Sequence, residues 1–249
     1  METAEFVEIL DREGRSLAAA AEEAGMDAGV PPCPGWRIRD LIEHIGPIHR
    51  WAAGFVAEQF TSPRPAGPPP PGLDDAALLS WYREGHRQLV DTLSSAAPDV
   101  ACWHFMPAPT PLAFWARRQA HETAVHRVDA EAARGGGPGV VPAGFALDGI
   151  DEILCGFHAR AKSRVRSDEP RVLRVRATGT GDDAADGVVW TVRLSQEPPV
   201  AERGATAEPD AEISGPAAEL YLALWNRLPL PRGSGDAATL RLWRENSAV

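Results

Sequence analysis

Apolar positions recur with helical spacing through the first half of the chain. Phe6, Leu10, Leu17 and Ala20 follow one another at intervals of four, seven and three, which predicts a helix over residues 3–24. A second helical pattern covers 38–59, after the breaker Pro31-Pro32-Cys33-Pro34-Gly35. The proline-rich stretch 62–72 reads as a loop or polyproline segment. A third helix is expected over 74–94, with Asp74 and Asp75 suited to its N-terminal end. After a proline-studded loop, 98–111, a fourth covers 112–134, and Gly135-Gly136-Gly137-Pro138-Gly139 ends it and reads as a domain boundary.

The pattern then changes. One more helix is expected over 147–164, followed by two alternating segments, 171–177 and 188–194, that read as half-buried strands. Gly179-Thr180-Gly181-Asp182 to Gly187 supplies the turn between them. A short strand at 211–213 leads through Ser214-Gly215-Pro216 into a helix bearing Leu220, Leu224 and Trp225, and a last helix begins at Asp236. The expected fold is therefore α+β: an antiparallel four-helix bundle over 1–136, then a small α/β domain over 145–249.

Composition narrows the function. The net charge of −10 argues against a nucleic-acid surface, which needs a basic footprint. No apolar run is long enough for a membrane span, and the acidic start Met1-Glu2-Thr3-Ala4-Glu5 lacks the basic and apolar regions of a signal peptide. Cys33, Cys102 and Cys155 are odd in number and widely spaced, so neither a disulfide framework nor a zinc knuckle is expected. The chain reads as cytoplasmic, monomeric or weakly dimeric, and directed at small molecules. Lys162 is its sole lysine, an arginine bias that suggests a GC-rich coding genome.

Projecting the second helix at about 100° per residue puts His44 amid Leu41, Ile48, Trp51 and Phe55 on one apolar face, with His49 about 140° away. On the fourth helix, Arg117-Arg118-Gln119-Ala120-His121-Glu122-Thr123-Ala124-Val125-His126-Arg127 resembles a zincin pattern but spaces its histidines five apart, so they diverge. Glu122 and His126 converge instead, one turn apart, facing inward with Leu112, Trp115 and Gln119, while Arg127 and Glu131 fall on the far side. Arg118 projects inward and can meet a carboxylate. A buried carboxylate is costly unless paired or metal-bound, and two histidines with one carboxylate leave an open coordination position. A lone histidine is more often a core residue, and a Glu–His pair is more often helix support. By pattern alone, metal binding and structural support stand level. His49, His86, His104, His121 and His158 are expected at the surface or behind other ligands, and Cys33 in a packing role.

Further residues carry a resemblance. Cys33-Pro34-Gly35-Trp36, Asp40-Leu41, His44-Ile45-Gly46 and His49-Arg50-Trp51 resemble the mycothiol-dependent maleylpyruvate isomerase family, one of the DinB-like metal-binding bundles. So does Arg118-Gln119-Ala120-His121-Glu122 running into Val125-His126-Arg127-Val128-Asp129. The tail, from Asp210-Ala211 to Leu224-Trp225-Asn226-Arg227 and Gly235-Asp236, is similar to that family's C-terminal domain. The resemblance implies His44, Glu122 and His126 as ligands of a divalent metal, zinc being the expected ion, and mycothiol as thiol cosubstrate. It implies that Arg227 faces the cleft between domains and holds a substrate carboxylate, a task that suits a guanidinium fork. It further implies a cis–trans isomerase, with a mycothiol S-transferase, a non-catalytic metal-stabilised protein and a metal hydrolase as alternatives. The arginine bias agrees with a family found in GC-rich, mycothiol-making bacteria. Arg37 stands where relatives tend to carry a capping Ser or Thr.

Overall fold

In the computed structural model, which describes residues 1–179, 187–231 and 233–248, the chain divides after Gly139 into two units, Met1–Gly139 and Val140–Val249. The first unit is four helices: α1 (Thr3–Ala24), α2 (Ile38–Ala57), α3 (Asp75–Ser95) and α4 (Pro111–Arg134). Each of α1 and α2 packs against both α3 and α4. Leu17, Ile38, Leu41, Ile42, Ile45, Leu78, Leu79 and Tyr82 fill one end of the core. Phe55, Trp103, Phe105, Phe114 and Trp115 pack ring to ring around Trp51 further along.

Local chemistry sets the helix ends. The Asp74 carboxylate accepts from the Ala77 N–H, and the Thr110 hydroxyl accepts from the Ala113 N–H with Pro111 at the first helical position. At α2 the cap is made from inside the helix: the Arg37 N–H donates to Asp40 Oδ2 at 2.8 Å, so no hydroxyl is needed at position 37.

The helices α2 and α3 run in the same direction. Arg39 pairs with Asp75 near both N-termini, and Arg50, about three turns further along α2, lies over the Trp81 ring, about two turns further along α3, 3.9 Å from its centroid. The intervening chain must therefore travel back along the bundle, roughly 30 Å for a 20-residue helix. A polyproline rise of about 3.1 Å per residue covers that distance in about ten residues, which accounts for the proline-rich 62–72 segment. Trp51 pins it by donating its indole N–H to the Arg64 carbonyl at 2.6 Å.

Two expectations for the polar residues are corrected. Arg127 and Glu131 do not face solvent, because α1 lies along that side of α4. Both are buried, with Arg127 donating to Glu13 Oε2 at 2.7 Å and to Glu131 Oε2 at 2.6 Å. His49, His86, His121 and His158 are buried as well. His49 Nε2 lies 2.9 Å from Thr123 Oγ1, His86 Nε2 3.0 Å from the Leu10 carbonyl, and His158 Nδ1 3.4 Å from Ser163 Oγ. The His86 ring occupies the space a side chain at position 14 would need, since a Cβ on Gly14 would come within 2.2 Å of it.

The second unit opens with α5 (Ala143–Asp151), which passes into a π-helical turn, Glu152–Phe157. The helix thus starts and ends earlier than its apolar pattern suggests. The strands β1 (Arg171–Thr178), β2 (Val188–Leu194), β3 (Val200–Arg203), β4 (Ala211–Pro216) and β5 (Gly233–Gly235) form one sheet in the order β3-β2-β1-β4-β5. β1 is antiparallel to β2 and parallel to β4. β3 and β5, short and polar or glycine-rich, carry too little alternation to be read from sequence. Alternation on β1 buries Leu173, Val175 and Ala177 while Arg174 and Arg176 face the other way. Of the turn expected between β1 and β2, residues 180–186 lie outside the described residues. Helices α6 (Ala217–Leu224) and α7 (Ala237–Asn246) complete the unit, with Asp236 capping α7. Among the described residues, no helix is long and apolar enough to cross a membrane.

His158, beside the Trp243 ring, yields a pH prediction for this unit. Burial pushes its imidazole down to about 4 from 6.5, so it is neutral in the fold and protonates more readily once unfolded. Stability is therefore full above pH 6.5 and falls as the pH drops from 6.5 towards 4, by about 2 kcal/mol at pH 5. His158→Leu should flatten the pH dependence of denaturant unfolding between pH 7 and 5 by that amount; an unchanged slope would exclude the buried neutral imidazole as its source.

Candidate metal centre

α2 and α4 cross antiparallel, and the crossing assembles the three residues marked by the sequence. Glu122 and His126 project from consecutive turns of α4 toward His44 on α2. Glu122 Oε1 lies 3.6 Å from His44 Nε2 and 3.4 Å from His126 Nε2. The three candidate ligand atoms all fall within 4.8 Å of one another. Zinc bonds of about 2.0–2.2 Å in tetrahedral geometry separate neighbouring donors by about 3.3–3.6 Å, so the donor set fits such an ion in chemistry and the two Glu122–histidine separations match it in spacing.

His44 is not central on the buried face, contrary to its place in the projection. α3 covers the side of α2 around Ile42, Ile45 and His49, and this shifts His44 to the border, where its side chain is 38% exposed. Glu122 is 20% exposed and His126 only 8%. The trio therefore opens on one side. The Trp36 ring stands against His44 edge to face, with centroids 5.1 Å apart, and His126 meets the same imidazole at 5.0 Å.

The outer atoms of two of these residues are held by buried partners. Arg118, one turn before Glu122 and 3% exposed, donates to Glu122 Oε2 at 2.7 Å, leaving Oε1 to face the imidazoles. Asp129, fully buried and one turn after His126, takes His126 Nδ1 at 2.8 Å on its Oδ2. The Cys33 thiol donates to that same oxygen at 3.6 Å. Electrostatics follow from these contacts. Burial opposes ionisation of Glu122, but Arg118 and then the two histidines outweigh it and hold the carboxyl well below its usual range. Burial likewise opposes protonation of His126, and the carboxylates of Asp129 and Glu122 outweigh it, raising the imidazole.

The remaining candidates lie elsewhere. His121 packs on Phe6 and His49 on Tyr82 and His86, so neither shares the direction of His44. Arg227 belongs to the second unit, in the turn after α6, where it donates to the Trp225 carbonyl at 2.7 Å. Arg118 meets a carboxylate as its inward projection suggested. Sequence reasoning left Asp129 without a role, although the His126-x-x-Asp129 spacing, which stacks the two on one helix face, was a usable signal.

Comparison with known proteins covers most of the chain. The model for the mycothiol maleylpyruvate isomerase N-terminal domain matches residues 7–131, and that for the MDMPI C-terminal domain matches residues 144–242. A crystal structure of the mycothiol-dependent maleylpyruvate isomerase is similar with a TM-score of 0.60, and one of a histidine-to-alanine mutant of that enzyme with 0.62. Each is 13% identical, and each match covers 95% of both chains, a likeness of fold. No curated protein matches the sequence.

Proposed function

The chain belongs to the mycothiol maleylpyruvate isomerase family, and we propose that it is a metal-dependent enzyme that uses mycothiol to convert the cis double bond of a maleylpyruvate-like acid to trans. The observation that carries this reading is the open cluster of His44 Nε2, Glu122 Oε1 and His126 Nε2 in a helical bundle. Zinc bound by these three would keep one position free and stabilise the thiolate of mycothiol, whose reversible addition to a conjugated double bond permits rotation.

The chain's own part is positional and electrostatic. Arg118 keeps Glu122 ionised and presents a single oxygen to the ion. His44, at the border of the buried face, sets the side from which thiol and substrate arrive, with the Trp36 ring beside it. Arg227 is assigned the substrate carboxylate, since a planar guanidinium matches it with two parallel hydrogen bonds. The cysteines are thiols rather than disulfides, and the proposed reaction uses none of them as nucleophile. A cytoplasmic setting, where thiols stay reduced, suits both the cysteines and the cosubstrate.

The test is metal analysis of the purified protein, followed by assay of maleylpyruvate with and without mycothiol. The expected result is zinc near one equivalent and turnover that needs both zinc and catalytic thiol, with the thiol recovered. Arg227→Ala should raise KM at unchanged zinc content. Stoichiometric consumption of thiol would convert the reading to an S-transferase, and turnover without thiol to a hydrolase. A protein that cannot be loaded with any divalent ion would remove the mechanism altogether.

A further inference from the structure

We infer that Asp129 is a positioning residue for the metal centre: it fixes the His126 imidazole with its proton on Nδ1, so that the Nε2 lone pair is directed to the ion. The inference rests on the metal-centre reading above and extends it beyond the three ligands.

The geometry makes the case in three steps. A carboxylate with no exposure is costly unless donors surround it, and Asp129 receives His126 Nδ1 at 2.8 Å and the Cys33 thiol at 3.6 Å on one oxygen. In a neutral imidazole, one nitrogen donates and the other accepts, so a carboxylate acceptor at Nδ1 leaves Nε2 as the lone-pair nitrogen. Nε2 is the atom that faces Glu122 Oε1 at 3.4 Å. Histidine ligands of metals regularly lean on such an outer carboxylate, which orients the ring and increases its basicity; removing it costs about 10–100-fold in metal affinity. Cys33 has a defined part in this arrangement. Its S–H is directed at a carboxylate oxygen and ties the 31–35 loop to α4, so it supports Asp129 rather than attacking substrate.

A purely structural Asp129 would make a different prediction, and zinc affinity separates the two. Wild type, Asp129→Ala and Asp129→Asn are each titrated with zinc against a chelating indicator. Visible spectra of the cobalt(II) forms report ligand geometry, and thermal unfolding of the metal-free proteins reports the fold. Asp129→Ala is expected to bind zinc about 10–100-fold more weakly with an altered cobalt spectrum. Asp129→Asn keeps the volume and an acceptor oxygen, and is expected to recover part of that loss, remaining about tenfold weaker than wild type because the charge is gone. Should the alanine variant not fold, the asparagine variant decides. Zinc affinity within about twofold of wild type in whichever variants fold, with an unchanged cobalt spectrum, would overturn the inference even if those proteins were less stable. A wild type that takes up neither zinc nor cobalt would instead defeat the metal-centre reading itself.

Discussion

His44→Ala is expected to abolish zinc retention and reduce thiol-dependent turnover to background while the bundle stays folded. The imidazole is 38% exposed and sits at the border of the buried face of α2, against Trp36 and His126, so truncating it opens little of the core. The loss of zinc affinity should exceed the roughly 100-fold that an outer partner can cost, because a direct ligand is removed. Unchanged zinc affinity in a folded His44→Ala protein would show that the centre lies elsewhere. Glu122→Ala is a poorer probe than its position suggests. It removes an acceptor of Arg118, a guanidinium only 3% exposed, so loss of metal and loss of stability would come together. Glu122→Gln, which keeps the volume and an acceptor, separates them better.

Arg127→Leu is expected to destabilise the first unit by about 3–5 kcal/mol. Arg127, Glu13 and Glu131 are all buried, and the guanidinium joins the two carboxylates at 2.7 and 2.6 Å. Removing it would leave Glu131 in the α1–α4 interface with no countercharge, only the Gly139 N–H, and Glu13 with only the half-exposed Arg12 at 3.1 Å. In a unit of about 140 residues this corresponds to a fall of the order of 10 °C in thermal midpoint, measurable by calorimetry. Zinc affinity should be retained, since this network lies toward α1 and the metal centre toward α2. A midpoint that moves by less than about 2 °C would mean that water or local relaxation already solvates the pair.

These two residues also show how far the sequence could be read. Glu122 and His126 were legible together because an i, i+4 relation lies within one helix and depends only on its pitch. Pairing them with His44 required two assumptions, that both helices face one core and that they cross at the matching height, and the antiparallel crossing of α2 and α4 meets both. Arg127 was misplaced by the same projection, which identifies sides of a helix but cannot say what covers them. His49 was misplaced for the same reason: α3 covers the side of α2 that looked secondary, which buried His49 and left His44 at the rim. The two short strands β3 and β5 are defined by their neighbours, since the four residues Val-Ala-Glu-Arg and a Gly-Ser-Gly run have no alternating strand pattern of their own.

The amino-acid sequence by itself determined the helices of the bundle, the β1–β2 alternation, the helix caps at Asp74 and Asp236, and the inward Glu122–His126 pair. Each depends on residues within a few positions of one another, where periodicity and hydrogen-bonding chemistry act directly. The tertiary structure alone decided that the proline-rich segment returns along the bundle, that α1 encloses Arg127, and that Asp129 and Cys33 meet behind His126 across 96 residues of chain. Those contacts join residues far apart in sequence, and only the packing of whole helices brings them together.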